Sequence, residues 1–276
     1  MKILQMADAI RYRRMTTEEL RETFLVSDLF QPGKICATYV DLDRAVIGSA
    51  VPVKEALRLP TYDVLKATYF LERRELGVLN IGGAGSVTVK GQKYDLARLD
   101  GLYIGRGNEE VIFSSADPSK PAEFYLLSYP AHAVYSTQMA RPAEMNHVSL
   151  GSPETANARV INRFIHLDGI RSCQLVMGFT QLATGSVWNT MPSHTHMRRS
   201  EIYLYFDVAE KERVIHMMGP ADETRHLIIA NKQVAVSPGW SIHSGVGTTN
   251  YTFCWGMGGE NQVYNDMDGL SVADLQ

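Results

Sequence analysis

The stretch GSVWNTMPSHTHMRRSEIYLYF, residues 185–206, carries the pattern that decides the fold. His194 and His196 are separated by one residue, and alternate side chains of an extended strand point to the same face. Glu201 opens a run in which polar and apolar residues alternate, as they do in a half-buried strand. The stretch therefore predicts two strands, joined by a turn through Met197–Ser200, that bring two imidazoles and a carboxylate together.

A third histidine stands in the segment VSPGWSIHSGVG, residues 236–247. Pro238 and Gly239 predict a turn, and His243 follows at the start of a strand. Single histidines in strands are usually core or surface residues, but a set of ligand types at motif spacing favours a metal site. Three imidazoles and a carboxylate suit Zn²⁺, Mn²⁺, Fe²⁺ or Ni²⁺. The predicted ligands are His194, His196, Glu201 and His243.

The rest of the chain predicts an all-β protein with a short N-terminal helix. Thr16 precedes Glu19 by three residues, as in a capping box, and Leu20 and Phe24 follow at helical spacing. Beyond about residue 36, short runs rich in Val, Ile, Tyr and Phe alternate with Gly, Pro, Asn and Asp. This punctuation is typical of β-sandwiches and barrels.

A weak internal repeat predicts two related barrels. ERRELGVLNIGGAG, starting at Glu72, and MRRSEIYLYFDV, starting at Met197, both place an Arg pair just before a Glu and a strand. The connecting stretch LGSPETANAR, residues 150–159, carries the Gly, Ser, Pro and Asn of a linker, although loops inside domains look the same. We expect a first domain over residues 1–155, including the helix, and a second over residues 156–276.

The first repeat lacks the ligand types of the second. Aligning Glu75 with Glu201 puts Thr68 and Phe70 where the two histidines of the second repeat stand. The region equivalent to the third histidine holds residues that bind divalent metals poorly, namely Leu102, Tyr103 and Ile104. One divalent metal per chain is therefore expected, held by the second barrel.

Composition excludes several classes of partner. The chain has 27 Lys and Arg against 30 Asp and Glu, which gives a formal net charge of −3. It therefore has no excess of positive charge with which to bind nucleic acid or an anionic membrane. Cys36, Cys173 and Cys254 lie far apart, which disfavours disulfides and cysteine zinc sites. Charged residues in the N-terminal stretch MKILQMADAIRYRR leave no room for the apolar region of a signal peptide. No later apolar stretch is long enough to span a membrane. We expect a soluble, cytoplasmic protein.

The quoted motifs also carry a family resemblance. H-x-H-x4-E followed by P-G-x3-H is similar to the two signature motifs of the cupin superfamily, which implies tandem cupin-like β-barrels, a bicupin. WNTMPSHTHMRRSEIYLYF, HMMGPADETRH, SPGWSIHSGVGT, WGMGGENQVYNDMD and FLERRELGVLNIGGAG resemble the 5-keto-4-deoxyuronate isomerase family of pectin breakdown, over nearly the whole chain. The resemblance implies a zinc-dependent ketol isomerase that converts 4-deoxy-L-threo-5-hexosulose uronate to 3-deoxy-D-glycero-2,5-hexodiulosonate, and a homo-oligomer, a hexamer.

Such a reaction needs a proton shuttle and a cation for the uronate carboxylate. Glu260, on a glycine-flanked segment, and His226 are the candidate acid/base groups, with a solvated loop as the alternative for Glu260. Arg198, Arg199 and Arg225 adjoin motif residues and are candidates for the carboxylate, because a guanidinium binds carboxylates in bidentate fashion. Surface exposure is the alternative for the Arg198–Arg199 pair.

Two other functions fit the same motifs. A cupin dioxygenase would use a similar ligand set with Fe²⁺, and a non-enzymatic sugar-binding cupin would keep the barrel without needing the metal. Dioxygenase activity would stop without oxygen, whereas isomerase turnover would continue.

Overall fold

Strands make up most of the secondary structure, as the sequence predicts. The structure is a computed structural model, and it describes residues 1–260, 263 and 265–276. The helices are α1 (Ala9–Tyr12) and α2 (Thr17–Phe24), with short 3₁₀ turns at Leu42–Arg44, Asp63–Leu65, Pro142–Glu144, Pro153–Thr155 and Val272–Asp274. None of the helices in the described residues has the length and apolar content that crossing a membrane requires.

The strands of the first half of the chain are β1 (Lys2–Leu4), β2 (Leu25–Val26), β3 (Ile35–Val40), β4 (Val46–Ala50), β5 (Leu57–Arg58), β6 (Arg74–Asn80), β7 (Gly85–Val89), β8 (Gln92–Leu96), β9 (Gly101–Ile104), β10 (Val111–Ser115), β11 (Phe124–Pro130) and β12 (Gln138–Ala140). Those of the second half are β13 (Asn146–Leu150), β14 (Arg159–Ile165), β15 (Val176–Leu182), β16 (Trp188–Asn189), β17 (His194–Thr195), β18 (Arg199–Phe206), β19 (Val214–Gly219), β20 (Arg225–Ile229), β21 (Gln233–Ser237), β22 (Ile242–Gly247), β23 (Thr252–Gly259) and β24 (Asp268–Gly269).

The chain divides into two compact units that are interleaved in sequence. The first unit comprises Met1–Leu4, Asp28–Met145 and Phe164–Val176, and the second comprises Gln5–Ser27, Asn146–Arg163 and Met177–Gln276. Linker composition predicts one boundary, between residues 155 and 156, with the helix in the first domain. In the structure the helix belongs to the second unit, and residues 164–176 belong to the first.

The predicted helix is present as α2. The Thr16 hydroxyl accepts a hydrogen bond from the Glu19 backbone N–H, and the Glu19 carboxylate accepts one from Thr16 N–H at 2.7 Å, which confirms the capping box. The chain leaves the helix directly into β2, where Leu25 pairs with Ala235 of β21. This pairing between distant segments places the N-terminal helices in the second unit.

The two units share the order of their inner strands, while the edge strands differ, since β1 is parallel to β3 and β13 is antiparallel to β14. The first unit has a seven-stranded sheet in the order β1-β3-β4-β11-β6-β9-β12 and a four-stranded sheet in the order β5-β10-β7-β8. The second unit has the orders β13-β14-β15-β23-β18-β21-β2 and β16-β22-β19-β20, with β17 and β24 paired separately. The strand that carries Glu75, β6, lies between β11 and β9, and the strand that carries Glu201, β18, lies in the matching place between β23 and β21.

Apolar side chains from both sheets fill the core of the first unit. Phe113 packs against Phe124 with ring centroids 5.4 Å apart, and both are fully buried together with Leu76 and Val87. Alternate residues of each strand point to this core, which is the arrangement that a sandwich of two sheets requires.

Candidate metal centre

Four polar side chains of the second unit converge on one point. His194 lies on β17, Glu201 on β18 and His243 on β22, while His196 lies in the turn after β17. One potential ligand atom from each of the four lies within 4.8 Å of all the others. In the described part of the chain, this is the group of three or more His, Cys, Asp or Glu side chains that could hold a metal ion. These are the four residues that the motif spacing predicts.

The local backbone fixes the positions of these side chains. Glu201 is paired on both sides, with Ser237 of β21 and Met257 of β23, so its strand has no freedom to slide. The turn at Gly239 passes so close to the neighbouring loop that a Cβ there would lie 2.9 Å from the Met197 carbonyl oxygen and 3.0 Å from that of His196. Glycine at this position therefore allows the turn before His243 to pack against the loop that carries His196.

Backbone carbonyls orient two of the imidazoles. Nδ1 of His196 lies 3.0 Å from the Arg199 carbonyl oxygen, and Nδ1 of His243 lies 3.3 Å from that of Ser241. Because a carbonyl oxygen only accepts, each Nδ1 carries the proton and donates it, which leaves the lone pair of a neutral imidazole on Nε2. Both Nε2 lone pairs point into the convergence point.

The separations between the converging atoms fit a bound cation. Nε2 of His196 and Nε2 of His243 lie 3.0 and 2.9 Å from Glu201 Oε2, and the Nε2 atoms of His194 and His243 lie 3.0 Å apart. Lone pairs of nitrogen and a carboxylate oxygen repel one another at such distances unless a proton or a metal ion lies between them. Ligand atoms bound to one ion at about 2.0–2.2 Å lie roughly 3 Å apart, so these residues fit a divalent metal.

The buried surroundings shift the pKa values of these groups in different directions. Burial, with a further contribution from His243, lowers the pKa of His194 to about 3 and keeps this imidazole neutral. Burial alone would raise the pKa of Glu201, but its interactions with His243 and His196 outweigh burial and hold this pKa well below its usual value. Burial also lowers the pKa of His196, yet its hydrogen bond to Glu201 outweighs this effect and the net shift is upward. Metal binding requires an ionised carboxylate and neutral imidazoles, so the shifts of Glu201 and His194 favour it, whereas the upward shift of His196 opposes it.

A cavity of about 390 Å³ opens beside the four-residue group. His194 and Glu201 form part of its wall, and so does Tyr203, whose hydroxyl lies 3.0 Å from Thr190 Oγ1. Its volume lies within the usual range for small-molecule sites, which combine apolar walls with a few polar groups. The apolar wall includes Phe253, Trp255, Met257, Ile161 and Pro192, and the cationic side chains are Arg159, Arg163 and Arg199.

Of the arginines predicted to bind a carboxylate, Arg199 lines this cavity. Its side chain is buried and forms a 2.7 Å ion pair with Asp266, and it donates a 2.7 Å hydrogen bond to the Val263 carbonyl. Arg198 is outside the set of cavity-lining residues and its side chain is 55% exposed, 3.3 Å from Asp266.

The structure does not bring Arg225, His226 or Glu260 into the described wall of the cavity. Arg225 donates hydrogen bonds to the Met15 and Arg13 carbonyl oxygens, at 2.5 and 2.6 Å, and so contacts the N-terminal segment. His226 is exposed on β20, an outer strand of the four-stranded sheet. Glu260 is exposed, and its backbone N–H donates to the Arg198 carbonyl at 3.0 Å. These three residues are close to the motifs in sequence, but their side chains do not line the cavity.

The sequence motifs did not predict several other residues in or beside the cavity. Tyr203 belongs to the alternating run that was quoted, but its position on the same face as Glu201 was not connected to a binding site. Arg159 and Arg163 lie on β14, where the alternation R-x-I-x-R signals one shared face. Asp266 falls in a loop without periodicity, so its pairing with Arg199 had no signal in the sequence.

Comparison with solved structures defines the class of fold. An IolB-like protein from Salmonella typhimurium LT2 matches with a TM-score of 0.71 at 13% identity, covering 90% of this chain and 97% of the other. An oxalate decarboxylase variant from Bacillus subtilis matches with a TM-score of 0.63 at 12% identity, covering 90% and 79%. The molecule therefore has a tandem cupin-like all-β fold, with a His₃Glu group in its second unit.

Sequence comparison defines the family within this class. The family described as KduI/IolB matches residues 25–270, and the chain belongs to it. A 4-deoxy-L-threo-5-hexosulose-uronate ketol-isomerase from Shouchella clausii is 53% identical over 265 residues, covering 96% of each chain. A protein of the same name from Yersinia enterocolitica is 48% identical over 278 residues, covering 100% of each. The predicted family and fold class are confirmed.

Proposed function

We propose that this protein is a metal-dependent ketol isomerase acting on 4-deoxy-L-threo-5-hexosulose uronate, with 3-deoxy-D-glycero-2,5-hexodiulosonate as the product. The observation that carries the proposal is the convergence of His194, His196, Glu201 and His243 at the wall of a cavity of small-molecule size. The substrate comes from the names of relatives that are about half identical over nearly the whole chain.

The chemistry of a ketol isomerisation matches this arrangement. A proton moves between adjacent carbons, and negative charge develops on the oxygens of an enediol. A divalent ion bound by the four residues would supply Lewis acidity toward those oxygens. The chain's own contribution is to keep Glu201 ionised and His194 neutral, to offer the Tyr203 hydroxyl to the substrate, and to exclude water with the aromatic wall at Phe253 and Trp255.

Zinc is the ion that we propose, at one per chain. Nitrogen ligands with a single carboxylate are typical of zinc sites, although Mn²⁺, Fe²⁺ and Ni²⁺ accept the same set. Support for a single ion comes from the described residues, in which this is the group that could hold one. We further propose a homo-hexamer that acts in pectin breakdown, on the strength of the family resemblance, and light scattering tests the assembly.

Metal analysis combined with an assay tests the proposal. Purified protein is expected to contain about one divalent ion per chain, to convert the deoxyhexosulose uronate to its ketol isomer, and to do so equally well without oxygen. Chelation should stop turnover and zinc should restore it. Turnover that requires oxygen would identify a dioxygenase, and metal-loaded protein that binds but does not convert the uronate would identify a binding protein.

A further inference from the structure

We infer that Ser193 and Ser244 are positioning residues of the metal centre, because their side chains join the segment that carries His194 to the strand that carries His243. Both serines are buried, and each adjoins a candidate ligand, since Ser193 precedes His194 and Ser244 follows His243. This role rests on the proposed function for the presence of a bound ion, and it belongs to side chains outside the four candidate ligands.

The elements that carry His194 and His243 differ in how extensively they are paired. His243 lies on β22, a six-residue strand that is hydrogen-bonded to β19 on one side and to β16 on the other. His194 lies on β17, which has two residues and pairs with the equally short β24. The backbone ladder therefore fixes His243 more firmly than it fixes His194, and side chains can supply the difference.

The segment before His194 leaves β22 at a strained residue. Asn189 of β16 pairs with Gly245 of β22, which brings the next residue, Thr190, beside Ser244 where the pairing ends. Thr190 has a φ of 50°, in the left-handed region that β-branched residues rarely adopt. The Ser244 hydroxyl donates a 2.7 Å hydrogen bond to the Thr190 carbonyl, so this side chain holds the turn against β22.

A second hydrogen bond extends this hold to the residue next to His194. The hydroxyl oxygens of Ser193 and Ser244 lie 2.7 Å apart. Because the single Ser244 proton goes to a carbonyl oxygen, which only accepts, Ser193 is the donor of this bond. The bond joins the two backbones that carry His194 and His243, whose Nε2 atoms lie 3.0 Å apart. The two hydroxyls therefore help to set the spacing of these imidazoles.

The same segment forms part of the cavity wall. Thr190 and Pro192 line the cavity, and Thr190 Oγ1 lies 3.0 Å from the Tyr203 hydroxyl. A shift of residues 190–193 would therefore change the candidate metal centre and the adjoining wall together.

Zinc titrations of Ser193→Ala and Ser244→Ala against a chromophoric chelator test this role. We expect each substitution to weaken zinc binding roughly tenfold, as loss of groups that orient metal ligands does. The double variant should bind zinc as Ser244→Ala does, because Ser244→Ala already removes both hydrogen bonds. Ser49→Ala is the matched control, since Ser49 is buried in the first unit and donates to the Leu29 carbonyl at 2.7 Å. Its zinc affinity should equal that of the parent.

A spectroscopic measurement separates a change in ligand spacing from a general loss of stability. Cobalt(II) is loaded in place of zinc, and its visible absorption depends on coordination geometry. The bands should shift in Ser193→Ala and Ser244→Ala and stay in place in Ser49→Ala. Parent-like zinc affinity and cobalt bands in both serine variants, or losses of affinity that add in the double variant, would overturn the positioning role.

Hydrogen exchange of the metal-free protein separates this role from the proposed isomerase activity. Peptides covering residues 190–195 should exchange faster in Ser193→Ala and Ser244→Ala than in the parent and in Ser49→Ala, with no ion or substrate present. Parent-like exchange in both serine variants would overturn the inference, whereas a parent that binds zinc without turnover would contradict the isomerase alone. Ser193→Ala, which keeps the bond from Ser244 to Thr190, carries the test if Ser244→Ala does not fold.

Discussion

The orientation of two of the three imidazoles is set by one backbone carbonyl each. The carbonyls of Arg199 and Ser241 accept the Nδ1 protons of His196 and His243, and this leaves on Nε2 the lone pair that could bind a metal ion. His196 is buried, with its Nε2 3.0 Å from the Glu201 carboxylate.

We expect His196→Ala to lower the metal content at least tenfold and to abolish isomerase activity, with the fold retained, because three ligands remain but the charge and geometry of the site change. Elemental analysis of the purified variant and circular dichroism measure the two effects. His226→Ala is the matched control, since His226 is exposed on β20 and should leave metal content unchanged. Equal metal content in His196→Ala and the parent would show that His196 is not a ligand.

The convergence of the four candidate ligands could be predicted from the sequence, whereas the residues around them could not. Ligands of one ion must converge, and the close spacing of His194, His196 and Glu201 expresses this requirement locally. Arg163 reaches the same cavity only because β14 belongs to the same sheet as β18, and that strand order has no local signal. Arg225 adjoins a motif in sequence, but its guanidinium is held by the carbonyls of Met15 and Arg13.

Corresponding strands of the two units carry carboxylates with different partners. On β6, Glu75 is fully buried and accepts hydrogen bonds from the backbone N–H groups of Cys173, Gln174 and Leu175 at 2.7, 2.9 and 2.8 Å. The Tyr103 hydroxyl donates a fourth at 2.8 Å, and burial raises the pKa of Tyr103 so that it stays protonated. Glu75 therefore anchors the 173–175 segment within the first unit, while Glu201 on β18 faces histidines.

We expect Glu75→Gln to destabilise the protein by about 3 kcal/mol, because the amide loses charge-assisted bonds to several buried N–H groups. Metal content should not change, since the four predicted ligands lie in the second unit. Urea unfolding and hydrogen exchange of peptides covering residues 172–175 measure the effect. Glu109→Gln, at an exposed position, is the control. A variant as stable as the parent, with unchanged exchange at 172–175, would remove the anchoring role of Glu75.

The segment that contains the two N-terminal helices is held by contacts with Arg225. Arg225 donates to the carbonyls of Met15 and Arg13, and its guanidinium carbon lies 5.9 Å from the centre of the Tyr12 ring. The Tyr12 hydroxyl donates to the Met218 carbonyl at 2.8 Å. The capping box predicted where α2 begins, because capping involves residues close in sequence. The packing of the N-terminal segment against residues more than 200 positions away could not be predicted from the sequence.

We expect Arg225→Ala to destabilise the N-terminal helices by about 1–2 kcal/mol and to leave kcat/KM for the uronate unchanged, because the arginine holds two backbone carbonyls of the N-terminal segment. Hydrogen exchange of peptides over residues 9–24 and steady-state kinetics separate the two effects. Arg14→Ala, which alters an exposed neighbour, is the control. A raised KM with normal protection of residues 9–24 would return Arg225 to the list of substrate-binding candidates.

Across the whole molecule, the order of the inner strands is repeated in the two units, while the metal-ligating residue types are not. Each unit has a seven-stranded and a four-stranded sheet with matching orders of the inner strands. The weak sequence repeat around Glu75 and Glu201 predicted this duplication, because both residues lie near the start of a strand at the same place in the topology. The boundary between the units could not be predicted from linker composition, since residues 5–27 and 164–176 pack with the unit that is more distant in the chain.

The three tryptophans provide a probe of one unit alone. Trp188, Trp240 and Trp255 all lie in the second unit, Trp255 in the cavity wall and Trp240 against the N-terminal helices, 5.2 Å from the Tyr12 ring. Tryptophan fluorescence therefore follows unfolding of the unit that contains the His₃Glu group. Strands β6 to β9 report on the first unit through hydrogen exchange.

We expect metal removal to destabilise the second unit selectively, because an ion that binds only the folded state stabilises it by mass action. At a free ion concentration 100 times Kd the gain is about 2.7 kcal/mol, and at about 2–4 °C per kcal/mol the fluorescence-detected midpoint should fall by about 5–10 °C after chelation. Zinc should restore it. Exchange of β6 to β9 should stay the same, because their core contains apolar residues rather than the predicted ligands. The His196→Ala variant should not respond to chelation. A fluorescence midpoint unchanged by chelation in metal-loaded parent protein would mean that the four residues do not couple an ion to the stability of this unit.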